Sequence, residues 1–263
     1  HRLPREVLQE ALLHLSQEWV LLRGRREVSG MDIVKVSWSG GKDSTCAVMK
    51  HIEKHDWVIA VCYIPMLTDT IPMLLKEHYE FILQTADLFR KKGAEVYIVS
   101  GMTYYEYVHH RSKKGKYKGM PFGFPCFKRG QCGFKRDSKL KALKELDVGE
   151  FDYEDIGIAF DEKGRHKQLD SKHRSILNEL EITEKDAMAY CEENGVLSPH
   201  YALLKRDGCT LCPHAGAKER ERGISSNTRK HTISFLIFKN LSSLKSQIST
   251  RSEITNGLLT RKG

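Results

Sequence analysis

The sequence has no run of about 18 apolar residues, the length that a membrane-crossing helix needs. The early stretch "ALLHLSQEWVLL" is broken by Gln17 and Glu18, and no small-residue cleavage site follows it. Neither a secretory leader nor a membrane partner is therefore expected. An even, regularly spaced set of cysteines is also missing. Seven cysteines at irregular spacing in 263 residues exclude a disulfide framework. They point to a reducing, cytoplasmic compartment, with thiols used for metal or redox chemistry. Acidic residues are scarce exactly where basic ones crowd, a contrast hidden by the overall charge of +9. Residues 111–141 carry eleven Lys or Arg against Asp137 alone, net +10, and residues 223–263 carry seven against Glu253 alone. Residues 1–30 are nearly balanced, and 31–222 outside the basic segment sum to about −8. Basic charge gathered in this way points to an anionic partner, although charge alone equally fits a solvated lysine-rich loop. Internal repeats are absent.

Strand and helix patterns alternate from residue 31 onward. Strands are expected over 32–38, 57–64, 94–100 and 153–160, and helices over 44–55, 71–92, 103–111, 137–146 and 183–194. Gly93 and Gly195 are placed to stop helices, and Thr183 to cap one, with Asp186 in its first turn. Such alternation predicts an α/β fold with a doubly wound, mostly parallel sheet. Two irregular, cysteine-bearing loops interrupt it, at 113–135 and 195–213. Residues 1–30 form an amphipathic pattern, with Leu8, Leu12, Leu15, Trp19 and Leu22 on one face. They are expected to be an extension outside the functional domain at 31–222. The Ser-rich basic segment 223–263 is read as a poorly ordered tail.

Two familiar glycine fingerprints are missing as well. Neither Gly-x-x-x-x-Gly-Lys-Ser/Thr nor Gly-x-Gly-x-x-Gly can be placed. What stands between the first strand and the first helix is "SGGKDS", Ser39 to Ser44. Gly40 and Gly41 let an anion approach the main chain closely, and the amides of a helix start point at the same place. Ser39 and Ser44 add hydroxyls, and Lys42 adds a positive charge. Asp43 would repel a phosphate unless Mg²⁺ lay between them or the carboxylate had a structural hydrogen bond.

This stretch resembles the PP-loop motif Ser-Gly-Gly-x-Asp-Ser at every position. The resemblance implies ATP cleaved between its α- and β-phosphates, pyrophosphate held in the loop, and an acceptor oxygen adenylated. A nucleophile such as sulfide, persulfide or ammonia then displaces AMP. Residues 65–82, 126–143 and 156–165 extend the likeness to the phosphoadenosine phosphosulfate reductase family, with an adenine nucleotide alpha-hydrolase-like fold over 31–222. By that likeness Lys42 and Asp43 are the catalytic candidates. Ser39, Gly40, Gly41, Ser44, Asp69, Gly157, Asp161 and Arg165 join them as nucleotide-binding candidates, with Thr70 beside Asp69. Reductases of that family tend to lose the Lys and Asp, and their Glu-Cys-Gly-Leu-His-like motif is absent here. ATP activation for sulfur transfer is therefore expected, with sulfonucleotide (PAPS or APS) reduction as the alternative. A nucleotide- or nucleic-acid-binding module with structural zinc is a further, non-catalytic alternative.

Cys126 and Cys132 in one loop, and the Cys209-x-x-Cys212 pair in the other, offer four thiolates to one metal group. Either a [4Fe–4S] cluster or tetrahedral Zn²⁺ fits the spacing, with His214 as a substitute ligand for zinc, and redox or persulfide cysteines without metal are a third reading. Resemblance to PP-loop proteins with cysteine-bound clusters favours iron–sulfur. Cys46 and Cys62 read as core thiols and Cys191 as a helix-face residue. Aromatic residues Tyr117, Phe122, Phe124 and Phe127 interleave with Lys113, Lys114, Lys116, Lys118, Lys128 and Arg129. That mixture suits a nucleic-acid acceptor, although each Phe could equally pack its loop down. A sulfur donor protein is the other expected partner.

Overall fold

A computed structural model describes residues 31–125, 127–128, 131–204, 208–210 and 212. The expected helix over 1–30 and the tail over 223–263 lie outside the described residues, as does Cys126. The chain runs β1 (Ile33–Trp38), α1 (Lys42–Glu53), β2 (Trp57–Tyr63), a small hairpin of β3 (Met66–Thr68) and β4 (Ile71–Pro72), and α2 (Lys76–Lys91). It continues through β5 (Glu95–Val99), α3 (Tyr104–His109) and a two-stranded ribbon of β6 (Phe127–Lys128) and β7 (Gln131–Cys132). A π-helical turn (Lys135–Leu140) leads into α4 (Lys141–Glu145), then β8 (Tyr153–Ile156), β9 (His173–Arg174), α5 (Ile176–Glu179) and α6 (Glu184–Glu193). A 3₁₀ turn, Pro199–Ala202, follows.

Five strands form one sheet in the order β5-β2-β1-β8-β9. All four neighbouring pairs are parallel. The α/β class is thus as expected. Alternation along β1 explains the two-sided cover. Val34, Val36 and Trp38 face the larger core, with Val58, Ala60 and Cys62 of β2, and meet α1, α2, α5 and α6. Ile33, Ile59 and Val61 face the other way, against Leu143, Leu146 and Val148. Trp38 packs edge-on to Phe89 of α2, with ring centroids 5.0 Å apart. Its indole nitrogen donates to Thr45 Oγ1 at 3.0 Å.

Several expected boundaries move, each for a local reason. The helix expected over 71–92 begins only at Lys76, because β3 and β4 occupy the segment before it. Pro72 has no amide to give a helix, and the Met73 amide closes the hairpin on Pro65 O at 2.7 Å. The strand expected over 153–160 ends at Ile156, where Gly157 meets α1. The helix expected over 44–55 spans Lys42–Glu53, and His55 follows it with φ 65°. That over 103–111 spans Tyr104–His109 behind a Thr103–Glu106 capping box. That over 137–146 starts earlier and as a π-turn. Thr183 caps α6 in a reciprocal box with Asp186, as read from the sequence.

Candidate functional site

Strand order reverses at β1: the chain first builds outward to β2 and β5, then returns to lay β8 on the other side. Ligands of open parallel sheets bind at such a switch, beyond the carboxyl ends of the strands. The glycine turn leaves β1 at this place. Gly40 has φ of +79°, the left-handed region, and a Cβ there would stand 2.6 Å from Ile82 Cγ1 and 2.8 Å from His78 Cε1. Gly157, just past β8, has no room either: its Cβ would lie 2.7 Å from the Ser44 amide nitrogen. The two glycines let α2 and the end of β8 close directly on the turn and on the first residues of α1.

Two hydroxyls hold the turn's shape. Ser44 Oγ accepts from the Ser39 amide at 3.1 Å and donates to Gly41 O at 3.2 Å. Ser39 Oγ accepts from the Gly41 amide at 3.3 Å and lies 3.1 Å from Ser44 Oγ. Gly41 is the N-cap of α1 and supplies no side-chain cap. The helix start therefore faces the crevice with its amides and its positive dipole end. One of these amides is occupied: Lys42 N–H donates to the Tyr201 hydroxyl at 2.9 Å. Tyr201 is positioned by the 3₁₀ turn, and its ring packs against His200 with centroids 4.0 Å apart. His200 Nδ1 and His78 Nδ1 each lie 2.8 Å from Ser198 Oγ, buried behind the turn.

The Lys42 side chain does not reach over the turn. Its Nζ bonds both Asp43 carboxylate oxygens at 2.8 Å and Glu184 Oε2 at 3.3 Å. Burial works to lower the Lys42 pKa, but the hydrogen bond and charge of Asp43, then those of Glu184, outweigh it and hold it above the ordinary value. Burial raises the Asp43 pKa, with help from the Glu184 and Glu162 carboxylates, against the hydrogen bond and charge of Lys42. The Glu184 amide donates to Asp161 Oδ1 at 3.0 Å. Arg165 Nη1 bonds both oxygens of Glu162 at 2.9 Å.

Ser39, Gly40, Gly41, Lys42, Asp43, Ser44 and Gly157 meet at the turn, Asp161 joins it through the Glu184 amide, and Arg165 is bonded to Glu162, whose charge acts on Asp43. Asp69 is exposed on the turn between β3 and β4, next to Thr70. Sequence reading missed Tyr201, Glu184, Glu162, His78 and His200. Glu184 carried a weak signal, a carboxylate in the first turn of a capped helix. Tyr201 carried none.

Amides and a lysine suit phosphate, and the carboxylates of Asp43 and Glu184, converging on one ammonium, are the oxygen donors that Mg²⁺ takes. They fit the sparse protein share of a Mg²⁺ site whose remaining ligands are phosphate and water. The thiols sit elsewhere. Cys132 and Cys209 pack against a cluster of Met73, Tyr104, Tyr107, Val108 and Phe134. The Thr210 amide ties their segment to Met73 O at 2.8 Å, and Cys212 N–H turns back onto Cys209 O at 2.9 Å. Burial, then the neighbouring Cys212 and Cys132, push the Cys209 thiol up to about 12. Among the described residues no three His, Cys, Asp or Glu side chains stand close enough to hold a metal ion. Cys132 and Cys212 lie close enough to Cys209 to act on it electrostatically, and the fourth expected ligand, Cys126, lies outside the described residues. Cys46 and Cys62 are buried in the core, as expected. Cys191 is fully buried as well, with its Sγ donating to Lys42 O at 3.3 Å, so it is a core thiol rather than a helix-face one. A cavity of about 330 Å³ opens at the end of β5, lined by Gly101, Ser138 and Lys141 among others and by no residue of the glycine turn.

No protein-family model matches the chain, and no curated protein matches it.

Proposed function

We propose that the chain binds ATP at the glycine turn and forms AMP and pyrophosphate, activating an acceptor for sulfur transfer. The observation that carries this reading is the turn itself, a Gly-Gly bend at the sheet's switch point with the amides of α1 facing out and Lys42 beside two carboxylates. The fold that the reading implies is the adenine nucleotide alpha-hydrolase-like one, within the phosphoadenosine phosphosulfate reductase family that the motif resembles. In the reaction an acceptor oxygen bonds the α-phosphorus while the α–β bridging oxygen leaves with pyrophosphate. A sulfur nucleophile then displaces AMP. The turn amides and Lys42 stabilise charge on the departing pyrophosphate. For this Lys42 must exchange Asp43 and Glu184 for phosphate oxygens. Asp43 and Glu184 would then hold Mg²⁺, which neutralises phosphate charge when bound. Cys132, Cys209, Cys212 and Cys126 would hold the iron–sulfur cluster, or zinc, beside the acceptor.

Sulfonucleotide reduction needs a nucleophilic thiolate. Cys46, Cys191 and Cys209 are each pushed up to about 12, chiefly by burial, which is the wrong direction for that role. An ATP–pyrophosphate exchange assay tests the proposal. Lys42→Ala is expected to lower exchange by roughly a hundred-fold or more, the scale of losing one preorganised charge contact. A parent protein that neither binds ATP nor exchanges pyrophosphate would sink the reading.

A further inference from the structure

Between α3 and the strand ribbon the chain makes an excursion that the glycine turn does not explain. Residues 111–121 leave the end of α3 and return to it, closed by an antiparallel bridge between Arg111 and Pro121. Internal bonds fix its shape. The Ser112 amide donates to Met120 O at 2.9 Å, Gly119 to Ser112 O at 2.7 Å, and Lys118 to Gly115 O at 3.0 Å. Arg111 Nη1 donates to Gly119 O at 2.6 Å. Hydrogen bonds of this kind make it a formed hairpin-like projection rather than a loose lysine loop.

The aromatic residues of this region divide into two groups. Phe122 packs edge-on to Tyr107 and His110, with centroids 5.4 and 4.9 Å away, and Phe124 packs on Tyr104. These two root the projection in the cluster that also packs Cys132 and Cys209. Tyr117 and Tyr105 are different, being 61% and 59% exposed. Tyr117 lies near the tip, among Lys113, Lys114, Lys116 and Lys118, all exposed. Among the described residues none of these four lysines is in an ion pair. Tyr105 lies on the outer face of α3, its ring 4.2 Å from that of His109. The nearby carboxylate, Glu106, is committed to capping α3 through the Thr103 amide and hydroxyl at 2.8 and 2.9 Å.

We infer that the 111–121 projection and the outer face of α3 bind a single-stranded nucleic acid, with the lysines on phosphates and Tyr117 and Tyr105 as stacking surfaces for bases. The choice of a single strand follows from the pairing of charge with exposed rings. A duplex offers its phosphates but keeps its base faces stacked away, whereas an open strand offers both. An acidic peptide would use the lysines and leave the rings idle. The inference rests on the acceptor reading above and specifies its chemical class. The strand would lie beside the cysteines, because both are rooted in one aromatic cluster.

The test uses the full chain and fluorescent 20-nucleotide oligo-dT and oligo-U, whose anisotropy is followed over a range of salt without ATP. Tyr117→Ala is expected to weaken binding roughly five-fold or more, and Tyr117→Phe to restore it. Replacing the four lysines by Ala should flatten the log–log salt slope by about 3. A difference between the two oligonucleotides identifies RNA or DNA as the source of the strand. An unchanged slope, a 20-base-pair duplex bound as tightly as the single strand, or displacement of the strand by polyglutamate overturns the inference. Should the quadruple variant melt early, the Tyr117 pair, which leaves the charge intact, decides alone. Because ATP is absent, failure here removes the acceptor class and leaves ATP activation standing. Failure of ATP binding in the exchange assay leaves strand binding untouched.

Discussion

At the residue level the glycine turn is defined as much by what fills it as by its own sequence. The Tyr201 hydroxyl accepts from the Lys42 amide, the kind of donor that a phosphate oxygen would take at a helix start. A ligand in the turn must either displace this hydroxyl or share it. If the hydroxyl is only a cap, Tyr201→Phe removes a hydrogen bond worth about 1 kcal/mol from the ligand-free state. Binding of ATP or pyrophosphate, measured by calorimetry, should then tighten up to about five-fold, with stability falling by a similar free energy. Weaker binding in the variant would make the hydroxyl a ligand contact. The six residues of the turn were legible because their meaning is local: glycines for a bend, hydroxyls for its internal bonds, amides at a helix start. Tyr201 and Glu184 were not, because each reaches the turn across more than 140 positions of sequence through the fold alone. Asp43 was half legible. Its oddness beside a phosphate was plain, yet its partner in the ligand-free protein is the adjacent Lys42, and no sequence rule distinguishes that from a metal ligand.

At the level of elements, α1 is fastened at both ends. Its start abuts Gly157, and its far end carries His51, buried between two carboxylates. His51 Nδ1 lies 2.7 Å from Asp56 Oδ2, and Nε2 lies 3.0 Å from Asp155 Oδ2. Asp155 Oδ2 also accepts from the Ile176 amide at 2.7 Å, so one imidazole joins α1, β8 and the start of α5. Burial works to lower the His51 pKa, but the hydrogen bonds and charges of Asp155 and Asp56 outweigh it, leaving it above the ordinary 6.5. The folded protein therefore holds this proton more tightly than the unfolded chain does. The resulting stabilisation is complete below about pH 6.5 and fades as pH rises through the folded pKa. Urea unfolding of the parent and of His51→Gln between pH 5.5 and 9 checks the sign. The gap between their midpoints should be widest at the acid end and narrow on the alkaline side. A gap that stays constant would mean that folding leaves the His51 pKa unshifted, and a gap that widens on the alkaline side would mean that His51 is neutral in the fold. Helices and major strands were legible because their periodicity is set by the core they face. The short pieces were not. β9 and β4 are two residues each, too brief for any period, and Pro72 sits inside an apolar run that otherwise reads as helix. The strand β8 stops early only because Gly157 has to meet α1, a requirement set by the tertiary packing.

At the scale of the whole molecule, the candidate nucleotide turn and the cysteine group are joined by one stretch of chain. The 3₁₀ turn carrying Tyr201 leads to Cys209 and Cys212, whose segment is pinned to Met73 just before α2. The alternating order of strands made the parallel sheet legible, but nothing in the spacing of the cysteines says that Cys132 and Cys209 share an aromatic cluster. Without metal, Cys209 is held in its neutral form there, pushed up to about 12 by burial and by its two thiol neighbours. A cation would reverse this, since a bound metal takes the thiolate and releases the proton. Metal affinity should consequently rise with pH through the neutral and alkaline range, because the proton to be displaced is held more tightly than in a free cysteine. The expected result of anaerobic purification is a protein carrying iron with labile sulfide, or else zinc. Cys209→Ser or Cys212→Ser should lose the metal and the stability gained from it, while the metal-stripped parent and variants melt alike. Retention of full metal by both variants would place the ions elsewhere. A parent that stays metal-free when iron and zinc are supplied would leave the three thiols without a metal role. In metal-free protein at pH 8, Cys209 should also react with thiol reagents far more slowly than an exposed cysteine, since little of it is thiolate.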